Sequence, residues 1–156
     1  MAAKRLFLSY STTDQAFAKK LQASLEASGY SVFRDEKDAT VGPLDQQIEL
    51  EIRHSDALIL IFSRDSICSD WVEWEASVAR AREQEHRLKE RDRKRKKGPL
   101  YVLCPIALDD SWKDADWRGP LKFQIQDYTI LDFSKPRQFA DMYGRLHEGL
   151  QRWYGI

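Results

Sequence analysis

Apolar positions along the chain fall into two periods. Short, dense runs occur at Arg5-Leu6-Phe7-Leu8-Ser9-Tyr10, Tyr30-Ser31-Val32-Phe33, Ala57-Leu58-Ile59-Leu60-Ile61-Phe62, Leu100–Ile106 and Tyr128–Phe133, all of strand length. The run 57–62 is uninterrupted and predicts a central strand covered on both faces. Between the runs, apolar residues recur every three or four positions. Phe17, Ala18, Leu21 and Leu25 predict a helix from Asp14 to Ser28, capped by the turn Ser11–Asp14 and stopped by Gly29. Leu44, Ile48 and Ile52 predict a second helix after Gly42-Pro43, and residues 63–69 read as a loop. Asp70 followed by Glu73 forms a capping box, so the next helix begins there, with Trp71 and Glu75 on one face at its open end. Residues 109–127 read as a long connection. The last helix starts near Ser134, has Pro136 in its first turn, and buries Phe139, Met142, Leu146, Leu150 and Trp153 before ending at Gly155.

Strands alternating with helices imply a parallel sheet with helices on both faces. Five such units predict a flavodoxin-like three-layer sandwich in strand order 2-1-3-4-5, a single domain over residues 1–156. In that architecture ligands bind beyond the carboxyl ends of strands 1 and 3, where successive crossovers leave to opposite faces. The residues expected there are Ser9 to Asp14, Arg34-Asp35 alongside, and Ser63 onward with the helix bearing Trp71 and Glu75. A carboxylate beside a large aromatic ring suits a cationic or sugar-containing ligand. Glu73 reads as the cap, Trp74 as packing or interface, Phe33 as core, and Ser66 and Cys68 as possible wall.

Composition narrows the classes. Lys+Arg and Asp+Glu both total 25, so no net field draws the molecule to nucleic acid or an anionic membrane. Nothing approaches the ~20 apolar residues that span a bilayer. Met1–Arg5 leads straight into a strand without room for a signal peptide, which points to the cytoplasm. Cys68 and Cys104 fit a reduced, structural pair without metal spacing, and no metal site is expected. From about residue 83 to 97 the chain is almost wholly charged. Glu83/Arg87, Glu85/Lys89 and Glu90/Lys94 are acid-before-base pairs that support a solvated helical extension rather than a nucleic-acid tail. His54, His86 and His147 are read as surface residues.

Two doubly wound families fit poorly. Receiver domains need acidic residues after strand 1 and a phosphorylatable Asp ending strand 3, where Ser9-Tyr10-Ser11 and Phe62-Ser63 stand. Ser11-Thr12-Thr13 looks like a flavodoxin phosphate loop but has no glycine to let the amides close on phosphate. In contrast, Leu6–Asp14 resembles the first box of Toll/interleukin-1 receptor (TIR) domains, and Gly29–Asp35 with the charged loop to Gly42-Pro43 is similar to their second strand and BB loop. Asp56–Ser63 looks like their third strand, and Ser69–Glu75 like the Trp-x-x-x-Glu helix start of NAD-cleaving members. Pro105–Asp110 and Leu131–Ser134 resemble bacterial TIR proteins in particular. The charged stretch 83–97, and Gly42-Pro43 in place of the commoner Pro-Gly, depart from the pattern.

The resemblance implies that Glu75 is the catalytic glutamate and Trp71 its aromatic neighbour. Ser9, Tyr10 and Ser11 would line the ribose and phosphate side, while Arg34 and Asp35 would contact ligand or pin the BB loop. Asp38, Gly42 and Pro43 belong to that loop, through which other TIR domains would dock, a sensor domain or partner protein being a further candidate. NAD+ is implied as substrate, with no cofactor, in immune or cell-death signalling. The product is ADP-ribose or a cyclic isomer. The competing class is a non-enzymatic TIR scaffold or effector acting through TIR–TIR contacts.

Overall fold

The computed structural model describes residues 4–34, 44–67, 74–81, 84–85, 102–113 and 129–154. Strands β1 (Arg5–Ser9), β2 (Ser31–Arg34), β3 (Ala57–Phe62), β4 (Val102–Ala107) and β5 (Leu131–Asp132) form one parallel sheet in the order β2-β1-β3-β4-β5. This is the expected flavodoxin-like order. Helices α1 (Gln15–Ala27), α2 (Leu44–His54), α3 (Arg64–Ile67), α4 (described over 74–81) and α5 (Phe139–Tyr154) complete it.

Every side chain of β3 is buried, and strict alternation divides them between two cores. Ala57, Ile59 and Ile61 join Ala18, Leu21 and Leu25 of α1 and Leu146 and Leu150 of α5 on one face. Leu58, Leu60 and Phe62 join Ile48 and Ile52 of α2 and Ala76 and Ala79 of α4 on the other. β1 divides likewise, with Leu6 and Leu8 on the α1 face and Phe7 on the α4 face. Phe33 stacks on Phe7 at 5.4 Å, as a core residue should, and Trp74 packs against the same core.

α1 ends in a Schellman motif: the Tyr30 amide donates to the Leu25 carbonyl and the Gly29 amide to that of Glu26. Gly29 has φ 95° with no heavy atom near the position a Cβ would take. Its cost of substitution is therefore conformational, and Gly29→Ala is expected to lose about 1–2 kcal/mol in denaturant unfolding. Full retention of stability would show that the turn relaxes.

Three details differ from the sequence expectation. Residues 64–67 form a short helix instead of loop, because Ser63 and Ser66 cap each other: the Ser63 amide donates to Ser66 Oγ at 2.7 Å and the Ser66 amide to Ser63 Oγ at 3.2 Å. β5 is only Leu131–Asp132, since its ladder with β4 is confined to Ile106↔Leu131 and Ala107↔Asp132; Ile130 is packed on the core without strand pairing. His147 is half-buried rather than on the surface, stacked on Tyr143 with Nδ1 3.0 Å from the Tyr30 hydroxyl. Burial, then the neighbouring Tyr143 and Cys104, push the Tyr30 hydroxyl up to about 12. Glu85 reaches Arg53 of α2 at 3.6 Å, while its expected partner Lys89 and the rest of the charged extension lie outside the described residues.

Candidate functional site

β1 is followed by α1 on one face of the sheet, and β3 by α4 on the other. The adjacent pair β1 and β3, in register from Leu6↔Ala57 to Ser9↔Leu60, therefore carries the topological switch point at its carboxyl end. Glu75 lies in the first described turn of α4. It is followed by Ala76 and, one turn on, Ala79, both fully buried against the sheet. These small side chains let the helix approach closely. Glu75 shares the stripe of Ala79, four residues away, and is itself 0% exposed. A carboxylate has thus been carried inward, where apolar residues would be cheaper to bury.

Ser9 occupies the same sheet face. Alternation from Phe7 directs it toward the α4 side, it is fully buried, and its Oγ has no hydrogen-bond partner among the described residues. An orphan buried hydroxyl costs about 1–3 kcal/mol, which ordinary core chemistry would avoid. Tyr10 and Arg34 turn the other way. Tyr10 packs in the α1-side core, and Arg34, 4% exposed, pairs in register with Leu8 of that side. Ser9 and Glu75 share the α4 face of the sheet, and Tyr10 and Arg34 lie across it. Trp71, Asp35, Cys68, Glu73 and the loop residues Asp38, Gly42 and Pro43 lie outside the described residues.

Ser11 belongs to a polar network that the sequence did not reveal. Its Oγ is 3.1 Å from Thr13 Oγ1, which donates to Asp65 at 3.0 Å. Next to it Ser63 Oγ donates to Asp14 Oδ2 at 2.5 Å. On the far side of α3, the Arg64 amide donates to Asp109 Oδ2 at 2.9 Å, and Ser111 donates to Asp109 Oδ1 through both its amide and its hydroxyl. The loops after β1, β3 and β4 are thereby joined. The only sequence traces of this network were the Ser-x-x-Ser and Asp-x-Ser spacings.

The two carboxylates respond oppositely. Burial pushes the Asp109 carboxyl up, but the Ser111 hydroxyl and amide, the Arg64 amide and the Arg64 charge together hold it below its ordinary value. Burial pushes Asp14 up; the Ser63 bond opposes this, and Asp65 and Asp109 add to it, leaving Asp14 raised. The folded state then holds more protons at Asp14 than the unfolded chain between 3.8 and the higher folded value. Asp14 therefore subtracts from stability as pH rises through that window, and the deficit persists at neutral pH. Asp14→Asn keeps an acceptor oxygen for Ser63 and removes the charge. Its thermal midpoint at pH 7 is expected to equal or exceed that of the wild type, with the advantage shrinking in acid. A lower midpoint at pH 7 would contradict this balance.

A cavity of about 190 Å³ lined by Arg5, Ser31, Phe33, Glu51 and Ser55 opens at the opposite, amino-terminal end of the strands, away from Glu75. Among the described residues no group of acidic, His or Cys side chains is arranged to hold a metal ion, and no helix is long and apolar enough to cross a membrane.

Residues 6–147 match the family model of the TIR domain, and the chain belongs to that family. The crystal structure of the TIR domain of the Toll-related receptor TRR-2 from Hydra magnipapillata is similar over 94% of this chain and 97% of its own, with TM-score 0.68 and 16% identity. The TIR domains of the activated Roq1 resistosome, which directly recognises the pathogen effector XopQ, match over 95% of this chain and 99% of theirs, with TM-score 0.62 and 16% identity. The metazoan TIR-STING receptor from C. gigas matches 89% of this chain and 38% of its own length, with TM-score 0.54 and 20% identity. These likenesses carry the fold. No curated protein matches the chain.

Proposed function

We propose that this TIR domain is an NAD+ glycohydrolase, acting in the cytoplasm in immune or cell-death signalling and switched on by assembly with other TIR domains. The observation that supports the proposal is the fully buried carboxylate of Glu75 on α4, on the same sheet face as Ser9, whose buried hydroxyl has no hydrogen-bond partner among the described residues. The resemblance of Trp71-x-x-x-Glu75 to NAD-cleaving members points the same way.

The chemistry needs one well-placed anion. The nicotinamide of NAD+ is already cationic, so when the C–N bond breaks its electron pair returns to the ring and nicotinamide leaves neutral. No general acid is required. Positive charge passes to the ribose, which takes on oxocarbenium character as in glycoside hydrolysis. Glu75 stabilises that charge and accepts hydrogen bonds from the ribose hydroxyls, and the low-dielectric surroundings that bury it strengthen its effect. Ser9 offers a hydroxyl to the same sugar. Water then adds at the anomeric carbon and gives up a proton, yielding ADP-ribose; closure by a group of the nucleotide itself gives a cyclic isomer instead. Arg34 and Asp35, at the root of the BB loop, hold that loop, and Trp71 supplies an aromatic wall.

A second reading has its own support. Glu75 is fully buried within a single chain, as a purely structural carboxylate would also be, and such a domain would serve as a scaffold for TIR–TIR contacts. Incubating concentrated protein with NAD+ separates the two. The enzyme releases nicotinamide in proportion to protein, whereas a scaffold self-associates without releasing any.

A further inference from the structure

The cavity at the amino-terminal end of the strands is built from three elements. Arg5 of β1 and Ser31 of β2 are partners in register, so their side chains stand side by side. They share a sheet face with Phe7 and Phe33, which stack one layer further along the strands. The half-buried ring of Phe33 borders the cavity. α2 supplies the remaining wall, with Glu51 in its last turn and Ser55 just past its end.

The charged groups of this lining keep hydrogen-bonding capacity in reserve. Arg5 gives Nη2 to Glu51 Oε2 at 2.8 Å, and among the described residues its Nε and Nη1 meet no acceptor. Glu51 Oε1 and the Ser31 hydroxyl likewise take no hydrogen bond among the described residues. The Arg5 and Glu51 side chains are 48% and 27% exposed, within reach of a ligand. Arg5 is also fixed at its backbone: its amide donates to Asp56 Oδ2 at 2.8 Å, and its carbonyl accepts from the Asp56 amide at 2.7 Å. A fork of donors and a carboxylate oxygen are thus held together beside an aromatic ring.

That combination selects by charge and by size. A lone anion would meet Arg5 but be repelled by Glu51, and a lone cation the reverse. A molecule that carries both charges close together satisfies both side chains. Its cation belongs at Glu51, because the C-terminal turn of α2 also favours positive charge. At about 190 Å³ the cavity is smaller than the ~300–1,000 Å³ of sites for drug-sized ligands, which excludes a dinucleotide. A cavity of about 150 Å³ already holds benzene, so one branched or aromatic side chain fits.

We propose that the cavity between β2 and α2 binds a free α-amino acid with an apolar side chain: its carboxylate on Arg5 and Ser31, its ammonium on Glu51, its side chain against Phe33. The site is independent of NAD+ cleavage and stands whether or not the domain is a glycohydrolase.

The test titrates L-leucine and L-phenylalanine into the whole chain by calorimetry, while amide chemical shifts locate the site. Saturable binding of at least one of them is expected, with shifts centred on residues 31–33 and 51–55. Isocaproate and isoamylamine, which are leucine without its ammonium and without its carboxylate, should bind about tenfold more weakly or worse, the loss expected of a hydrogen bond to a charged group. Arg5→Gln and Glu51→Gln should each weaken amino-acid binding by a similar factor. Both side chains are partly exposed, so the domain should stay folded. Should either variant unfold, Ser31→Phe puts a large side chain at an exposed strand position lining the cavity and should abolish binding in a folded protein. Absence of saturable binding by both amino acids would overturn the proposal. So would equal binding of isocaproate or isoamylamine, shifts centred elsewhere, or an affinity that any of the three folded variants leaves unchanged.

Discussion

Replacing Glu75 by Gln is expected to lower NAD+ cleavage by about two to three orders of magnitude while leaving the domain folded. Gln has the size of Glu and retains one acceptor oxygen, so the stripe formed with Ala79 against the sheet is preserved. What is lost is the negative charge that meets the developing oxocarbenium, and removing a single preorganised electrostatic contact of this kind typically costs ~10²–10³ in kcat. The loss should fall on kcat, because the charge matters most when the ribose becomes cationic. Stability should change little, since a neutral amide is no harder to bury than the fully buried carboxylate it replaces. The measurement is nicotinamide release at saturating NAD+, paired with thermal unfolding of the same samples. Glu73→Gln is the matched control and should cost no more than ~0.5–2 kcal/mol of helix-cap stability. Undiminished cleavage by folded Glu75→Gln would remove Glu75 from the chemistry.

Specific activity is expected to rise with protein concentration or crowding. Glu75 is fully covered in the single chain, so substrate reaches it only after a neighbouring group moves. The BB loop follows directly from Arg34, whose position in register with Leu8 roots it beside the end of β1. Its sequence, Asp35-Glu36-Lys37-Asp38-Ala39-Thr40-Val41-Gly42-Pro43, is mostly polar. Docking of that loop by a second TIR domain is the step proposed to open and complete the pocket, and near-zero net charge does not oppose it. Binding that selects the competent state raises the active fraction by mass action. Gly42→Trp, or Asp35→Lys at the root, should abolish the rise without unfolding the domain. A dilution series run beside light scattering is the check. Specific activity that stays constant from a strictly monomeric sample upward would mean that the pocket is complete within one chain.

Much of this architecture was written in the periodicity. The run 57–62 showed its burial on both faces because a central strand has no solvent side, and the strand order followed from the class of fold. The helix carrying Glu75 was legible for a similar reason, since helical spacing after the third strand marked it, whereas the full burial of Glu75 was not. Other features carried no period. α3 spans four residues, too few for a helical pattern, and exists because two serines cap each other. The apolar residues around β5 recorded burial, whereas strand pairing stopped after two positions. His147 was assigned outward as a polar side chain, although Phe139, Tyr143 and His147 are spaced by four and stack in sequence along α5. The hydrogen bond from Ser63 to Asp14 was the least accessible feature. Asp14 and Ser63 are 49 residues apart, and a hydrogen bond between two polar side chains leaves no mark in either neighbourhood. Nor did alternation alone reveal that Ser9 and Glu75 share a face while Tyr10 and Arg34 lie across the sheet; that required the register of β1 with β2 and the packing of α4.

The central claim, that this TIR domain breaks the nicotinamide–ribose bond, is tested most directly by chromatography of the products formed when the concentrated chain is incubated with NAD+. Light scattering on the same sample establishes that it has assembled. The account predicts nicotinamide in equal amount to ADP-ribose or a cyclic isomer of it, accumulating in proportion to assembled protein. Intact NAD+ after prolonged incubation with a demonstrably assembled sample would contradict it and leave the domain a scaffold.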